Sequence, residues 1–391
     1  MKSSAFVYPW DVVGDPDAAA RIADLGVQQV TLASAYHSTR ALTPRHPQHR
    51  IVTARHAAVL YPVDEGRWAG RALRPYEQTW VAGADPFGEA AEALAGAGLE
   101  VHAWVVLAHN SRLGDEHPEI SVRNVYGDRY PWAPCIGRPE VREYLVDLAA
   151  EAAVRPGASG VELESCGWYG LAHLHAHDKI GGVGLGEEAQ YLMSLCFCEC
   201  CCAGYEGLGA SAEELRAAVR GALEPVWAGG APGVLSADVA GVFAAWRDGV
   251  ASGLQRDAVA AVRAAAPGPG FQVLLHAVPW RRAVGANVGV DPADVLAHAD
   301  GVVLPCTGDA AVRAAVLPPF VPHRGDPHRG EGTVLAANFT VVAGMGGRPS
   351  SLVDDAVHAV ELGADEIRLY HAGLASDGDL AEVRKALGRL G

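Results

Sequence analysis

Two glutamates stand two residues apart in the apolar run Gly160-Val161-Glu162-Leu163-Glu164. Side chains alternate along a strand, so Glu162 and Glu164 share one face while Val161 and Leu163 share the other. Carboxylates on an otherwise apolar strand are costly unless that face lines a polar cavity or has partners. Neighbouring carboxyls also push each other's pKa values apart, giving one proton donor and one anion. Cleavage of a glycosidic bond needs that division of labour. Glu164, at the end of the run and nearer a cavity, is the expected general acid. Glu162, one layer deeper, is expected to tune it, or to form an internal salt bridge with Arg368.

The polar stretch that follows adds His173, His175, His177 and Asp178. If extended, the histidines lie on one side; if helical, only His173 and His177 do. They read as substrate contacts, as metal ligands or as a solvated loop, with Asp178 as a ligand, a base or the second catalytic carboxylate. The stretch closes on Cys196-Phe197-Cys198-Glu199-Cys200-Cys201-Cys202. The C-x-C-x-x-C spacing of Cys196, Cys198 and Cys201 suits a structural zinc, with Cys200, Cys202 or a distant residue as fourth ligand. Packed free thiols are the alternative. In either case the cluster holds a long loop in shape.

These groups need a scaffold, and the hydrophobic pattern supplies one. Runs that read as strands fall at 5–10, 28–36, 99–108, 160–164, 271–278, 301–305, 333–339 and 366–371. Each is followed by a helical pattern: 16–25, 86–98, 139–154, material from about 211 through 265, then 292–299, 309–317, 350–362 and 379–390. Eight strand-then-helix units predict an α/β fold, a (β/α)8 TIM barrel spanning 1–391 as one domain. The first strand is not followed by the glycine-rich turn of a doubly wound nucleotide fold. Long insertions follow strands two, three and four, at 38–85, 110–138 and 165–210, the last a His/Cys-rich loop subdomain. All three belong to the carboxyl end of the barrel, where such folds do their chemistry.

Strand ends then deliver polar groups to one mouth. Tyr36, His37, His109, Asn110, His276, Asn338, Tyr370 and His371 are the expected substrate contacts, joined by His175 and His177. Trp104, Trp132 and Trp168 are candidate platforms for sugar faces. Gly346, Gly347 and Arg348 offer a weak phosphate site.

A net charge of −15, from 46 acidic against 31 basic residues, argues against a nucleic-acid surface. The N-terminus has no apolar leader core, and no apolar run is long enough to span a bilayer. Five of the 8 cysteines crowd into seven positions, unlike a secreted disulfide framework. A cytoplasmic protein without membrane or nucleic-acid partners is expected, and a homo-oligomer is compatible with this reading.

Several motifs together resemble an actinobacterial group of glycoside-hydrolase-like barrels. They are His109-Asn110, Asn124-Val125-Tyr126-Gly127-Asp128, Cys135 before Pro139-Glu140-Val141-Arg142, the glutamate pair, the histidine-rich turn, the cysteine knuckle and Tyr370-His371. The group is more distantly similar to β-galactosidase-like barrels, in which a comparable knuckle binds zinc after the fourth strand. The resemblance implies an acid/base glutamate ending strand four, which falls on Glu164. It also implies a nucleophilic glutamate ending strand seven, where this chain has Ala336-Ala337-Asn338-Phe339. A glycoside hydrolase of small soluble glycosides is therefore expected, requiring no cofactor. Its second carboxylate is Asp178 or Asp11, or a distant residue that holds water. A sugar lyase or isomerase with Glu and His acid/base groups, and a degenerate sugar-binding barrel, are the alternatives.

Overall fold

A computed structural model of the chain describes residues 1–171, 179–325 and 332–391. The barrel strands are β1 Lys2–Val7, β2 Gln29–Tyr36, β3 Glu100–Val106, β4 Gly160–Glu164, β5 Gln272–Val278, β6 Gly301–Pro305, β7 Val334–Thr340 and β8 Glu366–Tyr370. Each pairs in parallel with its sequence neighbour, and β1 pairs with β8, closing the barrel.

The outer helices are α1 Ala18–Ala23, α2 Pro86–Gly96, α3 Pro139–Ala153, α4 Ala237–Ala265, α5 Pro292–Leu296, α6 Ala310–Val316, α7 Leu352–Glu361 and α8 Asp377–Leu390. Proline opens α2, α3 and α5, where its missing N–H costs nothing. Asp85, Asp291 and Asp309 cap α2, α5 and α6 by accepting from free N–H groups of the first turn.

Period-two alternation divides the strands between two cores. Val161, Leu163, Val273, Leu275, Val302, Leu304, Leu335 and Ala337 face outward into the main core shared with the helices. The inward faces carry a smaller aromatic cluster around Phe6, Tyr8, Tyr36 and Trp104, and a second of Leu274, Val303 and Ala336. Polar groups fill the rest of the interior. Ser4 Oγ and Thr31 Oγ1 lie 2.9 Å apart, Thr31 donates to Glu162 at 3.2 Å, and Arg368 Nε donates to Glu162 at 2.5 Å. Gly160 makes this packing possible, because a Cβ there would sit 2.6 Å from His102 Nε2.

The insertions sit where the strand order predicts. After β2 come an antiparallel hairpin, Thr39–Leu42 with Ile51–Ala54, and a strand Ala58–Val59 that pairs back onto the end of β2. After β3, helix Ser111–Glu116 precedes a hairpin of Ser121–Arg123 with Arg129–Pro134. After β4 the chain forms helices Glu187–Met193, Glu199–Gly207 and Ala212–Trp227 before α4. The cysteine stretch, read as a loop in sequence, thus opens a helix: Cys198 is the N-cap of Glu199–Gly207. Among the described residues, no helix is long and apolar enough to cross a membrane.

Candidate active site

At the carboxyl end of the strands lies a cavity of about 510 Å³, walled by Glu164, Tyr36, His37, His109, Tyr169, His276, Asn287, Thr307, Asn338, Thr340 and Tyr370, with Val284, Gly285, Ala286 and Pro305. This volume suits a small organic ligand. Glu164 is the one carboxylate among its described lining residues. Its Oε2 accepts the indole N–H of Trp104 at 2.8 Å. Immediately after it, Ser165 adopts a left-handed backbone with φ of 56°. A non-glycine residue there costs on the order of 1 kcal/mol or more and needs support from its surroundings. The support is visible: Ser165 N–H donates to the Ala286 carbonyl at 2.9 Å, and Ala108 N–H donates to the Ser165 carbonyl at 3.1 Å. The turn takes the chain off the barrel as soon as Glu164 has been delivered.

Aromatic and imidazole rings build one wall. Tyr36 stacks on His37 with centroids 4.2 Å apart, and His109 stacks on Tyr169 at 4.7 Å. His37 Nδ1 lies 2.8 Å from the Ser38 carbonyl, so that nitrogen carries the hydrogen. Burial pushes the His37 pKa below its ordinary value, favouring the neutral ring, although Glu164 pulls the other way. Tyr8 donates to the Tyr36 hydroxyl at 3.0 Å, and burial raises the pKa of both phenols well above normal. The wall therefore presents neutral donors and acceptors, the groups that recognise sugar hydroxyls.

Opposite, His276 approaches Glu162, with Nε2 3.3 Å from Oε2. Thr307 Oγ1 donates to Thr340 Oγ1 at 3.1 Å across the β6 and β7 ends. Asn338 and Asn287 each have a side-chain oxygen that meets no donor among the described residues.

Three expected site residues, one catalytic and two for substrate contact, lie elsewhere. Glu162 is wholly buried beneath the cavity, held by Arg368, Thr31 and His276. Burial alone would raise its pKa, but Arg368 and His276 outweigh it and hold the carboxyl down to about 2. It is an internal anion, as the salt-bridge alternative anticipates. Asn110 caps helix Ser111–Glu116, its Oδ1 accepting from Leu113 N–H at 3.0 Å, which turns it away from the cavity. His371 is fully buried behind Tyr8, whose ring stacks on it at 4.2 Å, and burial lowers its pKa to about 3.

Other expectations also shift. Trp104 acts as the donor to Glu164, not as an open platform, while Trp168 is buried with its N–H on the Arg247 carbonyl and Trp132 donates to the Gly170 carbonyl. Asp11 lines a separate cavity of about 240 Å³ between α1 and α8, with Arg21, Arg45 and Arg384, so it cannot supply the second carboxylate. Arg348 turns to the Gly308 carbonyl and to Asp355. His173, His175, His177 and Asp178 lie outside the described residues. Sequence reasoning missed Tyr169, Asn287 and Thr340; Tyr169 and Asn287 come from connections whose path strand periodicity does not reveal.

A second constellation lies between the insertions. Cys135, Cys196, Cys198 and Cys201 are buried, and their sulfurs all fall within 4.8 Å of one another. Cys135 Sγ is 3.6 Å from Cys196, 3.7 Å from Cys198 and 3.5 Å from Cys201. Four thiolates about 2.3 Å from a tetrahedral zinc would stand roughly 3.8 Å apart, so the donor set fits that ion. Hydrogen bonding from Cys135, then from Cys196 and Cys201, drives the Cys198 thiol toward thiolate. Cys200 and Cys202 point to the Gly137 and Phe197 carbonyls instead. The fourth thiol of the cluster is thus the distant Cys135.

The chain aligns over its full length with α-L-fucosidase isoenzyme 2 from Paenibacillus thiaminolyticus, at TM-score 0.60 and 12% identity, covering 49% of that chain. It aligns over 99% of its length with 99% of the PgaB (BpsB) glycoside hydrolase domain from Bordetella bronchiseptica, at TM-score 0.58 and 13% identity. A β-galactosidase from the haloarchaeon Halorubrum lacusprofundi gives TM-score 0.56 and 13% identity over 99% of this chain and 58% of that one. The fold is that of glycoside-hydrolase barrels. Identity this low establishes the fold alone, and the chain spans about half the length of the fucosidase. No family model and no curated protein sequence matches it, so the narrower actinobacterial kinship has no support.

Proposed function

We propose that this protein is a carbohydrate-active hydrolase that cleaves a small neutral glycoside, with Glu164 donating a proton to the leaving oxygen. The observation that carries this reading is one carboxyl at the end of β4, opening into a cavity of about 510 Å³ ringed by hydroxyl, imidazole and amide groups. No lysine or arginine stands among the described lining residues, so a phosphorylated or acidic sugar would find no counter-charge there. Tyr36, His37, His109, Asn338 and Tyr370 would hold the sugar hydroxyls, and Asp178 remains a candidate for the second carboxylate. Release of free sugar from a panel of aryl glycosides, lost in Glu164→Gln, tests the proposal; a folded variant with unchanged release refutes it.

The four cysteines would hold a structural zinc. A closed tetrathiolate site leaves no open position for chemistry, and its role would be to fasten the insertions. Eight cysteines with no disulfide among them fit a reducing compartment such as the cytoplasm.

One observation favours a second reading. Glu164 has histidines and no second described carboxylate around it, which also suits acid/base chemistry on a sugar without hydrolysis. Turnover in ¹⁸O-water separates the two, because hydrolysis places solvent oxygen in the product and isomerisation or elimination does not.

A further inference from the structure

Hydrolysis with retention needs an acid for the leaving oxygen and a nucleophile on the far side of the anomeric carbon, commonly a second carboxylate. Glu164 at the end of β4 supplies the acid. β7 lies across the cavity, three strands from β4 round the closed ring, and it ends in an amide, Asn338. Val334 and Ala336 belong to the inward cluster, while Leu335 and Ala337 belong to the outer core. Period-two alternation therefore turns Asn338 inward, where it lines the cavity with Thr307 and Thr340. Its Oδ1 meets no donor among the described residues, and neither does that of Asn287 in the connection after β5. A half-turn of the amide exchanges its oxygen and nitrogen, so either end can meet a ligand. A neutral amide is a poor substitute for a carboxylate nucleophile, but its oxygen is a good acceptor for an N–H.

We infer that the substrate brings its own nucleophile: it is a 2-acetamido sugar whose amide carbonyl attacks the anomeric carbon while Asn338 accepts the amide N–H. This rests on the hydrolytic reading above and names its substrate class. A neutral acetamido sugar suits a cavity with no lysine or arginine among its described lining residues. Attack from behind the departing bond requires the acetamido group trans to the leaving group, so the linkage is β in gluco- and galacto-configured sugars. Asn338 would hold the acetamido arm in the near-attack geometry that ring closure needs.

The steps balance without a further reactant. The carbonyl oxygen bonds to the anomeric carbon as the bond to the leaving oxygen breaks, and that oxygen takes the proton of Glu164. The resulting oxazolinium ion keeps its N–H, held on Asn338 Oδ1. Water then bonds to the anomeric carbon from the vacated side and gives a proton to the Glu164 carboxylate. The oxazolinium C–O bond breaks, the acetamido group is restored, and the sugar leaves with its original configuration.

The first test uses four 4-methylumbelliferyl β-glycosides: those of N-acetylglucosamine, N-acetylgalactosamine, glucose and galactose. By kcat/KM, an acetamido sugar should be released at least about 10²-fold faster than its 2-hydroxy counterpart. Equal or reversed preference overturns the assignment and leaves hydrolysis standing. Proton NMR should show the retained anomer formed first; inversion overturns the assignment in the same way. One, two and three fluorines on the acetamido methyl weaken the carbonyl nucleophile, so kcat should fall stepwise, and a flat series overturns the assignment. The thiazoline of the preferred sugar, a stable mimic of the oxazolinium ion, should inhibit the wild type at least about 10²-fold more tightly than the free sugar does. Equal inhibition overturns the assignment without requiring any variant to fold. Asn338→Ala should lower kcat on the acetamido substrate by about 10²–10³-fold and weaken the thiazoline, and Asn338→Asp, which keeps an acceptor, should recover part of both. A folded Asn338→Ala with unchanged kcat and thiazoline affinity overturns the role of Asn338. If other aryl glycosides are cleaved but neither acetamido sugar is, this assignment falls and hydrolysis stands; if no glycoside is cleaved, both fall.

Discussion

Glu162 and Glu164 differ by one turn of the strand pleat, and that difference decides their chemistry. Glu164 ends at a cavity with one indole donor, while Glu162 ends in a dry layer against a guanidinium. Glu164→Gln keeps the Trp104 contact and the shape but removes the transferable proton, so kcat should fall by about 10²–10⁴-fold with the melting temperature little changed. Steady-state kinetics beside a thermal melt would show this. Asp11 gives a pH test of its own. Burial raises its pKa from 3.8 to about 7, with Tyr8 N–H and Arg45 opposing. Between about pH 4 and 7 the folded chain therefore holds a proton that the unfolded chain has released, and stability falls as pH rises through that window. Asp11→Asn should match the wild type near pH 4 and exceed it above pH 7 by up to about 4 kcal/mol, at about 1.4 kcal/mol per pKa unit. Denaturant titrations at both pH values measure the difference; an equal gap at both would contradict the buried-acid account.

At the scale of elements, the insertions are fastened to each other and to the barrel. Cys135 follows the hairpin after β3, while Cys196, Cys198 and Cys201 belong to the connection after β4, so the thiol cluster joins two loops that flank Glu164. Recombinant protein grown with zinc should carry one equivalent per chain by elemental analysis. Cys135→Ser should lose that metal and melt earlier, whereas Cys200→Ser should do neither. Arg45 in the connection after β2 reaches the carbonyls of Ala372 and Gly373, at 2.7 and 3.3 Å, and that of Ala375. Arg45→Ala should cost on the order of 1–3 kcal/mol, because it strips several charge-assisted bonds from the β8–α8 turn. Equilibrium unfolding checks it.

The molecule as a whole closes around a charged layer. Glu162 from β4 and Arg368 from β8 lie on strands far apart in the ring, and their contact crosses the barrel interior beneath the cavity. Glu162→Gln takes one of two counter-charges from buried Arg368 and leaves Glu366 alone to balance it, so it should cost up to about 3–5 kcal/mol of unfolding free energy. Replacing both by Leu should cost much less than the sum of the single changes. A double-mutant cycle in urea reads the coupling directly, and additive costs would mean the pair does not hold the layer.

The order of strands and helices was legible in the sequence because hydrophobic period depends on neighbours a few residues away. So was the position of Glu164 on a polar cavity, since a carboxyl ending an apolar strand needs water or a partner. Depth was not legible. Strand alternation puts Glu162 and Glu164 on one face but cannot say where the dry layer stops and the cavity starts; that boundary is drawn by Arg368, 206 residues away in the chain. The same holds for His371, hidden behind Tyr8, for Asn110, spent on a helix cap, and for Cys135, which joins the knuckle across 61 residues. Local pattern chose the elements and their faces. Only closure of the barrel, which brings distant charges and thiols within bonding distance, decided which polar groups are buried in pairs and which are left open for chemistry.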